Sequence, residues 1–161
     1  GILDLFYLCP LGLVPFFWVA LVYEYNCKVK RVVDGDTVDV LIDLGFDIAY
    51  ASRVRLYGID TPESRTRDKD EKARGLISKD FLKSWLDKGS VVIRTRKDKK
   101  GKFGRILGEM VVDDININEL MIEEHHAVKY HGQSKDDIEA EHLVNRQKLI
   151  DKGIFNSTPY E

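Results

Sequence analysis

The sequence predicts an α+β protein in which a small closed barrel of five β-strands is accompanied by three helices. Five segments alternate apolar and polar residues with the two-residue period of a strand, and three others place apolar residues at helical steps. The strands mostly precede the helices, which favours a closed barrel over a sandwich. With 161 residues and 43% hydrophobic content the chain can bury one core, so we expect a single domain.

The predicted strands cover much of the first two thirds of the chain. An Asp-Gly turn at Asp34 and Gly35 joins the first two strands into a hairpin with one buried face. Gly45 ends this hairpin. The strands are expected at residues 25–30, 38–44, 49–59, from 91 onwards, and 105–112.

Three segments have helical periodicity. The strongest is residues 73–86, and a short one covers residues 116–124. Ser134 and the acidic residues after it form an N-terminal cap for a third helix, which ends just before Gly153. His142 lies within this last helix, and no role is expected of it.

Residues 1–22 are almost wholly apolar and differ sharply from the polar, alternating sequence that follows. Residues 5–22 carry no charge over 18 positions, about the lower limit for a membrane span, although two prolines interrupt them and no basic segment precedes them. One interpretation is a truncated anchor or leader, which predicts an exported or membrane-anchored protein that associates with a membrane through this segment. The alternative is sequence foreign to the natural protein. Residues 23–161 form the predicted domain in either case.

The charge of the chain limits how it could bind nucleic acid. A net charge of −2 gives no global attraction, so affinity for phosphate has to come from local clusters. Residues 94–102 hold six basic residues in nine and are either a charged hairpin end or a phosphate-facing loop. Cys9 and Cys27 lack metal-ligand spacing, and we predict neither a disulfide nor a zinc site.

Residues 54–63 combine a strand with charged residues that are suited to chemistry. The alternation places Arg55 on the face opposite the buried one, near the end of the strand, and Asp60 and Glu63 follow. Taken alone, the last four residues also fit a helix start, with Asp60 or Thr61 as the cap, a proline in the first turn and Glu63 near the positive end of the helix dipole.

Two further motifs decide between these interpretations. Upstream, Asp36 follows the Asp-Gly turn, which by itself would indicate only a hairpin; downstream, Arg105 follows Gly104 and the basic run. Together these pieces supply two aspartates suited to a hard cation, a glutamate beside them, and two arginines suited to a phosphate. In this order and at this spacing, the chain resembles the staphylococcal nuclease (thermonuclease) family over residues 23–155.

The resemblance implies an OB-fold barrel and a calcium-dependent nuclease. In the family, calcium is held by two aspartates and a backbone carbonyl, which match Asp36, Asp60 and the carbonyl of Thr61. The family's catalytic residues are a carboxylate that positions or deprotonates the attacking water and two arginines that bind phosphate. These match Glu63, Arg55 and Arg105.

The resemblance also implies endonucleolytic hydrolysis of DNA and RNA to 3′-phosphate and 5′-hydroxyl ends, with weak sequence preference, by a monomer. Lys102 and Phe103 match a lysine–tyrosine pair of the family, with the stacking face kept and the hydroxyl lost. Tyr130 lies about where the family has a stacking tyrosine. For both aromatic residues, filling the edge of the barrel is the alternative role.

Two functions of other classes stay open. Nuclease-like barrels also occur as modules that bind single-stranded nucleic acid without cleaving it, although such a module has no reason to keep Asp36, Asp60 and Glu63, which repel phosphate when no cation is present. A membrane-anchored interaction domain rests only on residues 1–22. A histidine metal site is disfavoured because no partner has ligand spacing around His125, His126 and His131.

Overall fold

The computed structural model describes residues 22–100 and 104–157 of the chain. Within these ranges the chain forms eight strands and three helices. The strands are β1 (Val22–Asp34), β2 (Thr37–Asp43), β3 (Ala49–Leu56), β4 (Ile59–Asp60), β5 (Val91–Lys100), β6 (Ile106–Val112), β7 (Ile115–Asn116) and β8 (Val128–Lys129). The helices are α1 (Lys69–Leu86), α2 (Ile117–Glu123) and α3 (Lys135–Asp151).

Five of the strands close into a barrel. Antiparallel neighbours follow the order β3-β2-β1-β5-β6, and β3 also pairs in parallel with β6, which joins the two edges of the sheet. In this closing pair, Val54 lies opposite Ile106 and Arg55 lies opposite Leu107. The described residues therefore form an α+β, OB-like barrel with three helices, and the predicted fold class is confirmed.

The interior of the barrel holds the hydrophobic core. Val38, Val54 and Ile93 are fully buried there, and α1 and α2 add Leu82 and Met121. Each such side chain stabilises the fold by about 1.5–3 kcal/mol when it leaves water. Because successive residues of a strand face opposite sides, the residue after Val54 in β3 faces away from this core.

The chain leaves the barrel at Gly58. The alternating pattern predicts one strand over residues 49–59, but β3 ends at Leu56, and Gly58 has a φ of +76°, a left-handed conformation that favours glycine. After this turn, Ile59 and Asp60 form β4, which pairs with β8 instead of with a barrel strand. The break carries Asp60 from the barrel wall towards the C-terminal part of the chain.

Helix α1 begins after an irregular segment rather than at the Asp60–Glu63 tetrapeptide. Residues 61–68 form neither helix nor strand, and Asp68 is the N-cap. Its carboxylate accepts hydrogen bonds from the backbone N–H groups of Asp70 and Glu71 at 3.0 and 3.1 Å. The helix-start interpretation of the tetrapeptide is therefore wrong, and α1 starts earlier than the predicted residue 73.

The last two helices follow the prediction. Asn116 caps α2, where its side chain accepts a hydrogen bond from the N–H of Glu119 at 3.3 Å. Ser134 caps α3 by accepting from the N–H of Asp137 at 3.2 Å, and Gly153 follows the end of α3 with a φ of +71°.

The described part of the basic run lies at the end of the β5–β6 hairpin, as one of its two interpretations predicts. Strand β5 continues through it to Lys100, and its register against β6 shifts between Thr95 and Lys100. Residues 1–21, with the predicted leader or anchor, lie outside the described residues. In the part of the chain that the structure does describe, no helix is long and apolar enough to cross a membrane.

Candidate active site

Arg55 joins two aspartates, one in the turn before β2 and the other on β4. It lies near the end of β3 opposite Thr37 of β2, which brings it next to Asp36. Its Nη1 is 3.1 Å from Oδ2 of Asp36, and its Nη2 is 3.4 Å from Oδ1 of Asp60. Nη1 also donates to the backbone carbonyl of Leu56 at 3.3 Å. Three of the predicted site residues therefore meet at one place.

Asp36 is a buried carboxylate, only 8% exposed. Its Oδ1 accepts from the hydroxyl of Thr37 at 3.0 Å, and its Oδ2 accepts from the backbone N–H of Thr61 at 3.3 Å. Burial raises the pKa of this carboxyl; Arg55 opposes the rise and Asp60 adds to it. The groups around Asp36 thus only partly compensate for taking its charge out of water.

Glu63 lies on the loop after β4, at the exposed side of the site. Its backbone N–H donates to Oε1 of Glu71 at 3.3 Å. Partial burial raises the pKa of the Glu63 carboxyl, and the charges of Asp34, Asp36, Asp60 and Glu71 each raise it further. A group of carboxylates therefore surrounds Glu63, and additional positive charge would stabilise it.

Two glycines let α1 pack directly on the backbone of the site. A Cβ at Gly75 would lie 2.6 Å from the backbone carbonyl of Glu63, and one at Gly35 would lie 2.9 Å from Cβ of Ser78. No side chain fits at either position, so α1 fixes the backbone at Glu63 and at the turn before Asp36. Gly35 does not have a left-handed φ, and this close packing is the reason for the glycine.

The structure adds a residue to the site that the sequence did not indicate. His142 of α3 is buried, and its Nε2 lies 2.8 Å from Oδ2 of Asp60. No role is expected of this histidine from the sequence, but the structure places it in contact with a site carboxylate. No local motif reveals the contact, since it joins positions 82 residues apart through the docking of α3.

Arg105, the second predicted arginine, directly precedes β6. It is half-buried, and the next residue, Ile106, pairs with Val54 in the strand that carries Arg55. In this parallel pair Arg55 lies opposite Leu107, so Arg105 is two residues away from the position opposite Arg55, on the neighbouring segment of chain. Its role in binding phosphate stays a prediction.

Tyr130 lies beside β4 with 44% of its surface exposed, and its backbone N–H donates to the carbonyl of Gly58 at 2.8 Å. The ring is thus exposed near the segment that carries Asp60, where it is available for stacking. The other two predicted substrate contacts, Lys102 and Phe103, lie outside the described residues.

The donor set fits a hard divalent cation. Within residues 22–100 and 104–157, no three histidine, cysteine, aspartate or glutamate side chains are arranged to hold a metal ion. The predicted calcium ligands are instead two carboxylates and the backbone carbonyl of Thr61, whose N–H already contacts Asp36. All are oxygen donors, as calcium prefers. Burial is the main cause of the raised pKa values of the Asp36 and Glu63 carboxyls, and the charge of Asp60 adds to both.

His126, which follows α2, belongs to the core rather than to this site. The ring of His126 is 4% exposed and stacks on Phe81 with 4.2 Å between the ring centroids. Its Nδ1 is buried without a hydrogen-bond partner, and burial lowers the pKa of the imidazole to about 4. The backbone carbonyl of His126 accepts from the hydroxyl of Ser78 at 2.8 Å. This histidine therefore fastens the segment before β8 to α1.

Comparison with known proteins assigns the family. A family model described as staphylococcal nuclease homologue matches residues 53–154, a range that includes Arg55, Asp60, Glu63, Arg105 and His142. The chain is 32% identical over 148 residues to an uncharacterized endonuclease of Escherichia coli, which covers 91% of this chain and 88% of that protein.

Two other relatives match a smaller part of their own length. The thermonuclease of Staphylococcus intermedius is 36% identical over 90 residues, which is 56% of this chain and 51% of that protein. Endonuclease YhcR of Bacillus subtilis is 27% identical over 144 residues, which is 83% of this chain and 12% of that protein. The extent of the family match and of the Escherichia coli alignment shows that this chain belongs to the staphylococcal nuclease family.

Proposed function

We propose that this protein is a calcium-dependent phosphodiesterase that cleaves DNA and RNA endonucleolytically and leaves 3′-phosphate and 5′-hydroxyl ends. Membership of the staphylococcal nuclease family supports nuclease activity. The observation that carries the rest is the junction of Asp36, Arg55 and Asp60, with Glu63 among the surrounding carboxylates. This junction combines an arginine suited to phosphate with oxygen donors suited to calcium.

Asp36, Asp60 and the carbonyl of Thr61 would hold the calcium ion. When bound, calcium supplies positive charge beside the phosphate, which offsets the repulsion between a phosphate diester and any nucleophile. The hydrogen bonds that Thr37 and Thr61 donate to Asp36 keep both oxygens of this carboxylate in place before a ligand arrives.

Arg55 would bind the phosphate that is attacked. Its guanidinium offers paired donors to two phosphate oxygens, and stabilisation of this kind acts most strongly where negative charge develops in the transition state. Asp36 and Asp60 already hold the guanidinium by contacts at 3.1 and 3.4 Å, so it is oriented before substrate binds. Arg105, which enters from the neighbouring strand, is the proposed second donor.

Glu63 would orient the attacking water and accept its proton. It lies on the loop after β4 at the exposed side of the site, where water reaches it, and a carboxylate can accept that proton. The water oxygen forms a bond to phosphorus, the bond from phosphorus to the 5′-oxygen breaks, and the 5′-oxygen takes up a proton to become a hydroxyl. The phosphate stays on the 3′ side.

Substrate on either side of the cut would contact the surface around the junction. Tyr130 is exposed for stacking on a base, and Lys102 and Phe103 are the proposed contacts on the side of the second arginine. Stacking and phosphate contacts are indifferent to sequence, so cleavage should show weak sequence preference.

Digestion with and without calcium tests this function. The substrates are circular single-stranded DNA, which only an endonuclease can open, and a labelled RNA, each in calcium, in magnesium and in excess chelator. We expect cleavage in calcium, products that a kinase can label at the 5′ end, and 3′ ends that a polymerase extends only after phosphatase treatment.

Variants separate the nuclease from a module that only binds nucleic acid. Glu63→Gln should lower the rate of cleavage by about 10²–10⁴-fold, the usual contribution of a general base. Asp36→Asn should remove the cleavage that calcium stimulates, because a proposed calcium ligand is lost. Asp39→Asn is a matched control, because Asp39 lies on β2 three residues after Asp36 and forms an ion pair with Arg53 at 2.8 Å, outside the site. Undiminished digestion in chelator would refute calcium dependence, and binding without digestion under every condition would establish the binding module.

A further inference from the structure

His142 is the contact through which the C-terminal helix reaches the site. Its side chain is 7% exposed, and Nε2 lies 2.8 Å from Oδ2 of Asp60. Because an ionised carboxylate can only accept a hydrogen bond, Nε2 carries the hydrogen and donates it. The other carboxylate oxygen of Asp60 is 3.4 Å from Nη2 of Arg55. Each oxygen of Asp60 therefore has its own donor.

Helix α3 does not depend on His142 for its place in the fold. Arg146 contacts the carboxylate of Asp70 in α1 at 3.0 to 3.1 Å through two nitrogens. The side-chain amide of Asn145 donates to the carbonyl of Ala127 at 3.1 Å, which ties α3 to the segment that enters β8. Leu149, 2% exposed, adds a buried apolar contact. With these attachments in place, the contact between His142 and Asp60 is available for a role in the site.

We propose that His142 is a positioning residue that holds the carboxylate of Asp60 in the orientation needed to bind the cation. This inference rests on the proposed calcium site. The terminal torsion of an aspartate has a broad energy minimum, so a carboxylate without such contacts samples many orientations. A donor on each oxygen restricts this rotation. Removing a partner that orients a metal ligand in this way commonly lowers metal affinity by about 10–100-fold.

The position of Asp60 explains why it needs this support. Asp36 is buried and accepts hydrogen bonds from two neighbouring residues, Thr37 and Thr61. Asp60 follows the left-handed turn at Gly58, on a two-residue strand that lies outside the barrel, and its side chain is 27% exposed. Residues close to the barrel thus orient Asp36 without α3, whereas Asp60 is held by Arg55 on one oxygen and needs His142 of α3 on the other.

Calorimetric titration with calcium, without nucleic acid, tests the proposal. His142→Leu keeps an apolar side chain of similar size and removes the donor, and we expect it to weaken calcium binding by about 10-fold or more. His142→Gln places an amide nitrogen near the position of Nε2 and should bind within about threefold of the wild type. Asn145→Ala is the control, since it weakens the docking of α3 without touching Asp60; it should lower the melting temperature and leave calcium affinity within about twofold.

Each outcome decides a separate point. Calcium affinity of folded His142→Leu within twofold of the wild type would overturn the inference, as would an equal loss of affinity in Asn145→Ala. If His142→Leu does not fold, His142→Asn, whose amide is too short to reach Asp60, replaces it; equal affinity in the Asn and Gln variants would overturn the inference. A wild-type protein that releases no heat with calcium would refute the proposed calcium site itself, and the inference with it.

Discussion

Acid should destabilise this protein through His126, and replacing that residue should remove most of the effect. The ring is 4% exposed against Phe81, and burial lowers its pKa from 6.5 to about 4. Between these two values the unfolded chain takes up a proton that the folded protein refuses. The free energy of unfolding therefore falls as the pH drops below 6.5, and the loss is complete near pH 4.

The size of the loss follows from the two pKa values. One pKa unit is worth about 1.4 kcal/mol, so the gap between 6.5 and about 4 is worth at most about 3 kcal/mol, of which about 2 kcal/mol is expressed at pH 5. For a domain with a total stability of about 5–15 kcal/mol, this is a large share.

His126→Phe isolates this contribution. The variant keeps an aromatic ring against Phe81 and removes the group that titrates. Urea unfolding followed by circular dichroism, at intervals from pH 8 to pH 4.5, gives the free energy of unfolding of both proteins. We expect the wild type to lose about 2 kcal/mol more than the variant between pH 8 and pH 5.

The carboxylates that both proteins share change the two free energies of unfolding equally with pH, so their contribution cancels in the difference between wild type and variant. This matters because the raised pKa values of Asp36 and Glu63 act in the opposite direction: acid neutralises these groups and adds stability. Stability curves that run parallel over the whole pH range would show that folding leaves the pKa of His126 unchanged, and would refute the argument from burial.

Three further predictions concern the site. Arg55→Lys and Arg105→Lys should each lower kcat/KM by about 100-fold although charge is conserved, because paired donation is lost; near-normal steady-state rates in either variant would make that arginine structural. Calcium at 100 times its Kd should raise the free energy of unfolding by about 2.7 kcal/mol, magnesium should act more weakly, and Asp36→Asn should cancel the effect in melting curves. Gly75→Ala should displace the backbone of Glu63 and cost about 1–3 kcal/mol, with a fall in kcat; a variant with normal stability and rate would contradict the packing argument.

The barrel could be predicted because its strands are half-buried. A strand with one face in the core alternates apolar and polar residues, so the positions of β2 and β6 and the inward direction of Val54 follow directly from the sequence. The same pattern failed at residues 49–59, because alternation reports which residues are buried and not whether the backbone continues straight. The left-handed turn at Gly58 leaves Ile59 buried, 1% exposed, while the strand itself has ended.

Part of the site could also be predicted from the sequence. Asp36, Arg55 and Asp60 lie in short motifs beside turns, where a polar residue next to a buried strand stands out, and the structure brings all three together. His142 gives no such signal. It occupies one position of a capped helix in which half of the other residues are charged, and its contact with Asp60 depends on how α3 docks.

The site is therefore built from parts whose positions have different physical causes. Barrel pairing alone places Arg55 beside Asp36, since Thr37 and Arg55 are partners in adjacent strands. The position of Glu63 depends on α1, which approaches its backbone closely only because residue 75 is a glycine. Asp60 depends on α3 through His142. Complete undocking of either helix, unlike a weakened but still docked one, should disable the site while the barrel stays folded, so activity should be lost at a lower urea concentration than the β-sheet signal.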